Sequence, residues 1–156
     1  MLRYTTAIAL AMLLAACGQG LNWREVRFEG QPDRVLLPCK PEQAERKVPL
    51  GDQSAQLQMK GCEAQGLQFT WSQLELPPNA SPERVMTAWQ KASLTSLGAD
   101  IQQAKQAQAL SLKGADAEPA ATQLDARAIS GQQAHFVWWA RGHRAYQLAK
   151  IGIAHV

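Results

Sequence analysis

The sequence predicts an α+β domain, an antiparallel sheet of about five to seven strands packed by one main helix over residues 81–97, behind an N-terminal signal peptide. Three observations carry that expectation. Stretches of alternating apolar and polar residues recur over 23–76 and again over 122–153, punctuated by Gly- and Pro-bearing turns. Between them lies one segment with helical apolar spacing, Val85, Trp89 and Ala92, bounded by start and stop residues. Ahead of everything, residues 5–16 form an uncharged, largely apolar run behind Arg3, shorter than the ~18 residues a membrane span needs. A hydrophobic share of 46% with 19% charged residues excludes collagen-like and strongly disordered chains.

The strands follow in order. Residues 23–29 place Val26 and Phe28 on one face of a first strand. Gly30-Gln31-Pro32-Asp33 is a turn, and 34–37 a short strand ending at Pro38. A brief strand near 46–50 precedes a turn at Gly51-Asp52. Residues 54–63 and 67–76 read as a hairpin through a three-residue connection, Ala64-Gln65-Gly66, with Gly supplying the left-handed position. Leu57 and Met59 share a face of its first arm, and Leu67, Phe69 and Trp71 a face of its second. The pattern then changes phase to Leu74 and Leu76, which a bulge near Ser72-Gln73 would explain.

Pro77-Pro78-Asn79 ends the strand, and Ser81-Pro82 opens the helix, because a Ser hydroxyl caps free N–H groups and Pro lacks the N–H that would go unpaired. Met86 and Leu97 adjoin the apolar face, and Gly98 is the stop. Residues 102–108 have helix-forming composition without an apolar stripe, and 113–121 form a loop. Residues 122–130 make a strand. Residues 133–141 and 144–153 then form a hairpin through Gly142-His143, a Gly-X turn that pairs 141 with 144, 139 with 146, 137 with 148 and 135 with 150. One face, with Ala134, Phe136, Trp138 and Ala140 opposite Ala145, Gln147, Ala149 and Ile151, suits a helix lying close. The other carries His135, Val137, Trp139 and Arg141 opposite Lys150, Leu148, Tyr146 and Arg144. Strands, a Ser-Pro-capped helix and strands closing on RGHRAYQLAKIG resemble the PsbP-like α+β domains in element order. That resemblance implies an assembly or binding module.

The leader carries the most specific motif. Its apolar run closes on Leu14-Ala15-Ala16-Cys17, which resembles the lipobox of bacterial lipoprotein precursors. The resemblance implies cleavage before Cys17, a diacylglycerol on its thiol and an acylated new amino group. The chain then divides into a signal peptide over 1–16, a lipidated cysteine and tether over 17–22, and one domain over 23–156. Two or more acyl chains, at about 0.8 kcal/mol per buried CH2, hold a protein stably on a membrane. Gly18, where retained inner-membrane lipoproteins often carry Asp, favours the periplasmic face of the outer membrane. The competing interpretation is an ordinary signal peptide cut near Ala16, leaving Cys17 free. Losing Arg3 with the leader lowers the formal charge from +3 to +2.

Export bears on the remaining cysteines, Cys39 and Cys62. In an oxidising compartment an even pair most simply forms a disulfide, with a metal site or a thiol nucleophile as alternatives. No CxxC pair and no zinc spacing is present, and no metal or cofactor is expected beyond the covalent lipid.

After Asp125 the chain has no acidic residue, while Arg127, Arg141, Arg144 and Lys150 are basic and all three histidines lie there. His135, Trp139, Arg141, Arg144, Tyr146 and Lys150 form a candidate binding face. An aromatic pair edged by cations suits a sugar ring, an anionic head group or an acidic patch. The plainer alternative is that Trp139 and Tyr146 are packing residues and the arginines solvated. Partners are then an envelope protein, peptidoglycan or an anionic head group. Nucleic acid is excluded by export.

GxSxG, HExxH, Walker and GxGxxG motifs are all absent. The best enzymatic case sets Cys62 as nucleophile with His135 or His143 as base, an order that resembles the papain-like cell-wall peptidases. Those enzymes place the cysteine at a helix start, whereas Cys62 reads as a strand end and a disulfide would consume its thiol. The expectation is a non-enzymatic, lipid-anchored binding or assembly accessory of the cell envelope. A cell-wall hydrolase or peptidase using Cys62 is the alternative.

Overall fold

A computed structural model describes residues 20–50 and 53–153 of the 156-residue chain. The segment expected to be a signal peptide, Cys17, and the turn expected at Gly51-Asp52 lie outside them. Strands dominate the molecule. β1 (Arg24–Arg27) and β2 (Arg34–Leu37) form a two-stranded antiparallel ribbon. β3 (Glu42–Leu50), β4 (Gln53–Ala64), β5 (Leu67–Glu75), β6 (Gln108–Ala109), β7 (Thr122–Arg127), β8 (Gln133–Arg141) and β9 (Arg144–Gly152) make one sheet, in the order β3-β4-β5-β9-β8-β7-β6. Every pairing in it is antiparallel. The one α-helix among the described residues, α1 (Pro82–Leu97), covers one face of that sheet and the ribbon the other. Among the described residues no helix is long and apolar enough to cross a membrane.

α1 begins and ends as its sequence dictates. Ser81 Oγ accepts from Arg84 N at 3.4 Å, Pro82 opens the helix, and Gly98 closes it in the left-handed conformation at φ 76°. Its buried side is Val85, Met86, Ser93, Leu94 and Leu97, with Trp89 half-buried. Ala92, expected on that side, is exposed. The stripe turns with the 3.6-residue period and passes through Leu94 and Ser93 instead. Residues 102–108 neither extend α1 nor lie loose. Ile101–Gln106 forms a 3-10 helix against β7, where the Gln103 amide donates to Arg127 O at 2.8 Å and accepts from Arg127 N at 3.0 Å. One side chain thus stands in for the missing strand partner at the end of β7.

The β8–β9 register is the one expected, Arg141↔Arg144 through His135↔Lys150, because Gly142 at φ 57° permits the tight turn. Three expectations are corrected. β3 runs nine residues rather than five. As the sheet's edge it has little to bury, so Glu42, Glu45, Arg46 and Lys47 hide the alternation that would have marked it, and such charges discourage edge pairing. The β4–β5 connection is two residues, Gln65 at φ 52° and Gly66 at φ 72°, so positive φ at both central positions turns the chain without a third.

No bulge interrupts β5. Its pairing runs unbroken from Leu57↔Leu74 to Ala64↔Leu67 and from Leu67↔Gly152 to Glu75↔Arg144. The apolar phase changes because different layers cover the two faces of β5. Phe69 and Trp71 pack under the ribbon, and Leu74 and Leu76 pack with α1. Leu57 and Met59 lie on the α1 face as well, opposite to Phe69 and Trp71.

Candidate functional site

The C-terminal hairpin face is built from the ribbon inward. Val26 and Phe28 of the N-terminal arm and Leu37 of β2 alternate with exposed residues, so the ribbon has one apolar side that needs a partner. It finds Trp71 and Tyr146, both 0% exposed, with Phe69, Trp139 and Leu148 around them. Phe28 meets Trp71 with ring centroids 4.5 Å apart, and Trp139 stacks on Tyr146 at 5.1 Å. Polar contacts pin the edges. Asp33, in the ribbon turn, accepts from the Tyr146 hydroxyl at 2.8 Å and pairs with the Arg141 guanidinium. Lys60 donates to the Arg27 carbonyl and lies over the Phe28 ring. Cys39, two residues after β2, is bonded to Cys62 of β4, with Cα atoms 5.8 Å apart. Burial, then the hydrogen bond to Asp33, pushes the Tyr146 phenol well above its ordinary range.

The six residues of the expected binding face are therefore divided by what covers them. Tyr146 is core, and Trp139 is half-buried with its ring stacked on Tyr146. Arg141 is exposed but committed to Asp33. Arg144 is half-buried and faces Glu75 across the β5–β9 pairing. His135 and Lys150 are left beyond the ribbon, where they help line a depression of about 440 Å³ with Asp125, Arg127 and Gln133. His135 Nδ1 lies 2.7 Å from Asp125 Oδ1, with Asp125 almost wholly in solvent. Of the four basic residues that follow Asp125, Arg141 is thus paired with an acid from a distant segment, Asp33. Residues 108 apart in sequence leave no local signal of that pairing.

The thiol constellation does not assemble. Cys62, Phe69, Lys150 and His135 are successive partners across β4, β5, β9 and β8. Three strand spacings put Cys62 and His135 roughly 14 Å apart. His143, at the β8–β9 turn, lies farther along the sheet still. Cys62 also has no thiol while bonded to Cys39. Among the described residues no three His, Cys, Asp or Glu side chains gather to hold a metal ion.

The feature that periodicity did not reveal lies on the α1 face. The helix packs over β8 and β9, leaving the β3–β5 side open, and a groove runs between helix and sheet as two adjoining depressions of about 360 and 280 Å³. Leu57, Met59, Trp89 and Ile151 supply apolar lining, Arg46 stands at both depressions, and Ser93 and Gln147 mark the floor. Gln147 Oε1 accepts from Ser93 Oγ at 2.5 Å and from Trp138 Nε1 at 2.6 Å, a polar knot beside buried Ser72 in a mostly apolar layer. A buried hydroxyl and indole held by one amide fix the helix to the sheet at a definite height. The available signal was Ser93 and Gln147, polar residues at inward-facing positions.

No protein-family model, curated protein or solved structure matches this chain.

Proposed function

We propose that this protein is a lipoprotein anchored through Cys17, facing the periplasm from the outer membrane, and acting without catalysis as a binding or assembly accessory of the envelope. The single observation that carries the reading is Leu14-Ala15-Ala16-Cys17 at the end of a short apolar run behind Arg3. The Cys39–Cys62 bond supports it, because such bonds persist in oxidising compartments and are rare where glutathione keeps thiols reduced. The groove beneath α1 is the partner site within this reading. It offers apolar surface from Leu57, Met59, Trp89 and Ile151, polar groups inside, and a guanidinium at its rim, a composition suited to a segment of an envelope protein.

Two measurements test it. Palmitate labelling of the expressed chain should mark the wild type and not Cys17→Ala, and unlabelled wild type would contradict the anchor. Substituting Arg46→Glu at the groove should reduce recovery of crosslinked partners from intact envelopes while the thermal midpoint moves little, and Trp89→Ala should reduce it too, with a lowered midpoint because its ring packs on the core. Undiminished crosslinking in both variants would remove the groove from the account.

A further inference from the structure

We infer that the outer face of the β1–β2 ribbon rests on the bilayer that holds the Cys17 lipid, with Trp23 and Leu36 entering the interfacial layer. The inference builds on the lipid-anchor reading above.

Alternation points Arg24, Val26 and Phe28 toward the sheet, which leaves Trp23, Glu25 and Arg27 outward. On β2, Val35 and Leu37 point inward, leaving Arg34 and Leu36 outward. The outer face therefore carries a large aromatic 56% exposed and a leucine 62% exposed. Leu36 is the register partner of Glu25 and so lies diagonally from Trp23, within side-chain reach. Leu21, 41% exposed, precedes them. Three of the six large hydrophobics exposed among the described residues thus fall at this one end of the molecule.

Exposed apolar residues in isolation need no explanation, but the place of these does. Trp23 follows Cys17 by six residues, a span of at most about 20 Å even fully extended. A lipid on Cys17 consequently keeps this patch close to a membrane surface at all times. Trp is the side chain that favours the boundary between head groups and acyl chains, having an apolar body and one N–H donor. Beside the patch, Glu25 pairs with both Arg27 and Arg34, so the network keeps one positive charge, compatible with zwitterionic and anionic head groups. Arg27, by its hydrogen bond, holds the Glu25 carboxyl below its ordinary range. With the ribbon on the membrane, the opposite layer, α1 and its groove, faces the periplasm.

The test uses the full chain, purified from membranes in detergent and reconstituted into vesicles of phosphatidylethanolamine and phosphatidylglycerol, with or without a phospholipid brominated high on its chains. Bromine quenches only tryptophans it can touch, and Trp71 and Trp138 are completely buried. Wild-type emission should fall on brominated vesicles, Trp23→Phe should lose most of that fall, and Leu36→Ser should lose part of it. Circular dichroism of both variants should match wild type. Equal quenching of wild type and Trp23→Phe, or no quenching of wild type, overturns the inference, as would a protein partner occupying the patch instead of lipid. Intact-mass measurement separates the two levels. Lipid mass on Cys17 without Trp23 quenching overturns the membrane-resting ribbon and leaves the anchor standing. Absence of that lipid mass overturns the anchor and this inference together.

Discussion

The two faces of the central sheet are held together by different means. On the α1 face, one cluster of seventeen buried apolar residues runs from Ala55 on β4 to Ala149 on β9, and its cover is a capped, sixteen-residue helix. On the ribbon face the buried cluster has five members, and its cover is two strands of four residues each. A ribbon of that length cannot hold itself in place, because an isolated two-stranded unit is marginal in water. It is fastened instead by the Cys39–Cys62 bond, by Asp33 on Tyr146 and Arg141, and by Lys60 on Arg27. Where apolar area is plentiful, packing dominates and the polar knot at Gln147 only sets the height of the helix. Where that area is scarce, covalent and polar fastenings take its place.

That contrast can be broken from either side. The largest effect should come from Trp138→Ala, which empties a fully buried site on the α1 face and takes one of its two donors from the Gln147 amide oxygen. A loss of about 3–5 kcal/mol is expected, read as a lowered denaturant midpoint for the whole domain. A fall confined to the ribbon would contradict the division. Next is the double variant Cys39→Ser, Cys62→Ser, which should cost about 3 kcal/mol on the loop-entropy account. Its signature is regional. Amide exchange should rise over 24–37 while β8 and β9 stay protected.

Tyr146→Phe comes third, at about 1–2 kcal/mol, because the Asp33 carboxylate loses a charge-assisted partner. It also has a pH signature. The folded phenol titrates above its unfolded value, so its contribution is complete below the ordinary tyrosine pKa and is lost as pH rises beyond it. Wild type should therefore lose stability above about pH 10 more steeply than Tyr146→Phe. Identical alkaline limbs would show that burial of this hydroxyl is not what the ribbon protects. The smallest effect is Trp23→Ser, within about 0.5 kcal/mol, since more than half of that side chain is already in solvent. If Trp23→Ser unfolds the domain, the residue belongs to the ribbon core and not to an outer surface.

Legibility in the sequence followed the range of the interaction. The β8–β9 register and the helix boundaries rest on Gly142, Ser81, Pro82 and Gly98, residues whose constraint is local, and each was readable. The first half of β3, residues 42–45, escaped because an edge strand exposed to water has no obligatory alternation. The ribbon's cover was harder to foresee, although two unmatched stripes announced it. Val26, Phe28 and Leu37 needed a surface, and Phe69 and Trp71 needed a cover on the face away from Leu74. A phase change in one strand can mean two-sided burial as readily as a bulge. The cationic tip around Arg141 looked free because its counter-charge, Asp33, comes from the other end of the chain. The groove under α1 depends on where a helix stops covering a seven-stranded sheet, which no single segment encodes.

The central claim is that the two faces have separate duties, the ribbon toward the membrane and the α1 groove toward a partner. Site-specific photo-crosslinking in intact cells of the protein's own host addresses it most directly, with the probe at Ala92 on the groove rim or at Arg34 on the outer ribbon. The account predicts discrete protein adducts from Ala92, lost on Trp89→Ala, and lipid adducts without discrete protein bands from Arg34. Protein adducts from Arg34 with none from Ala92 would contradict it.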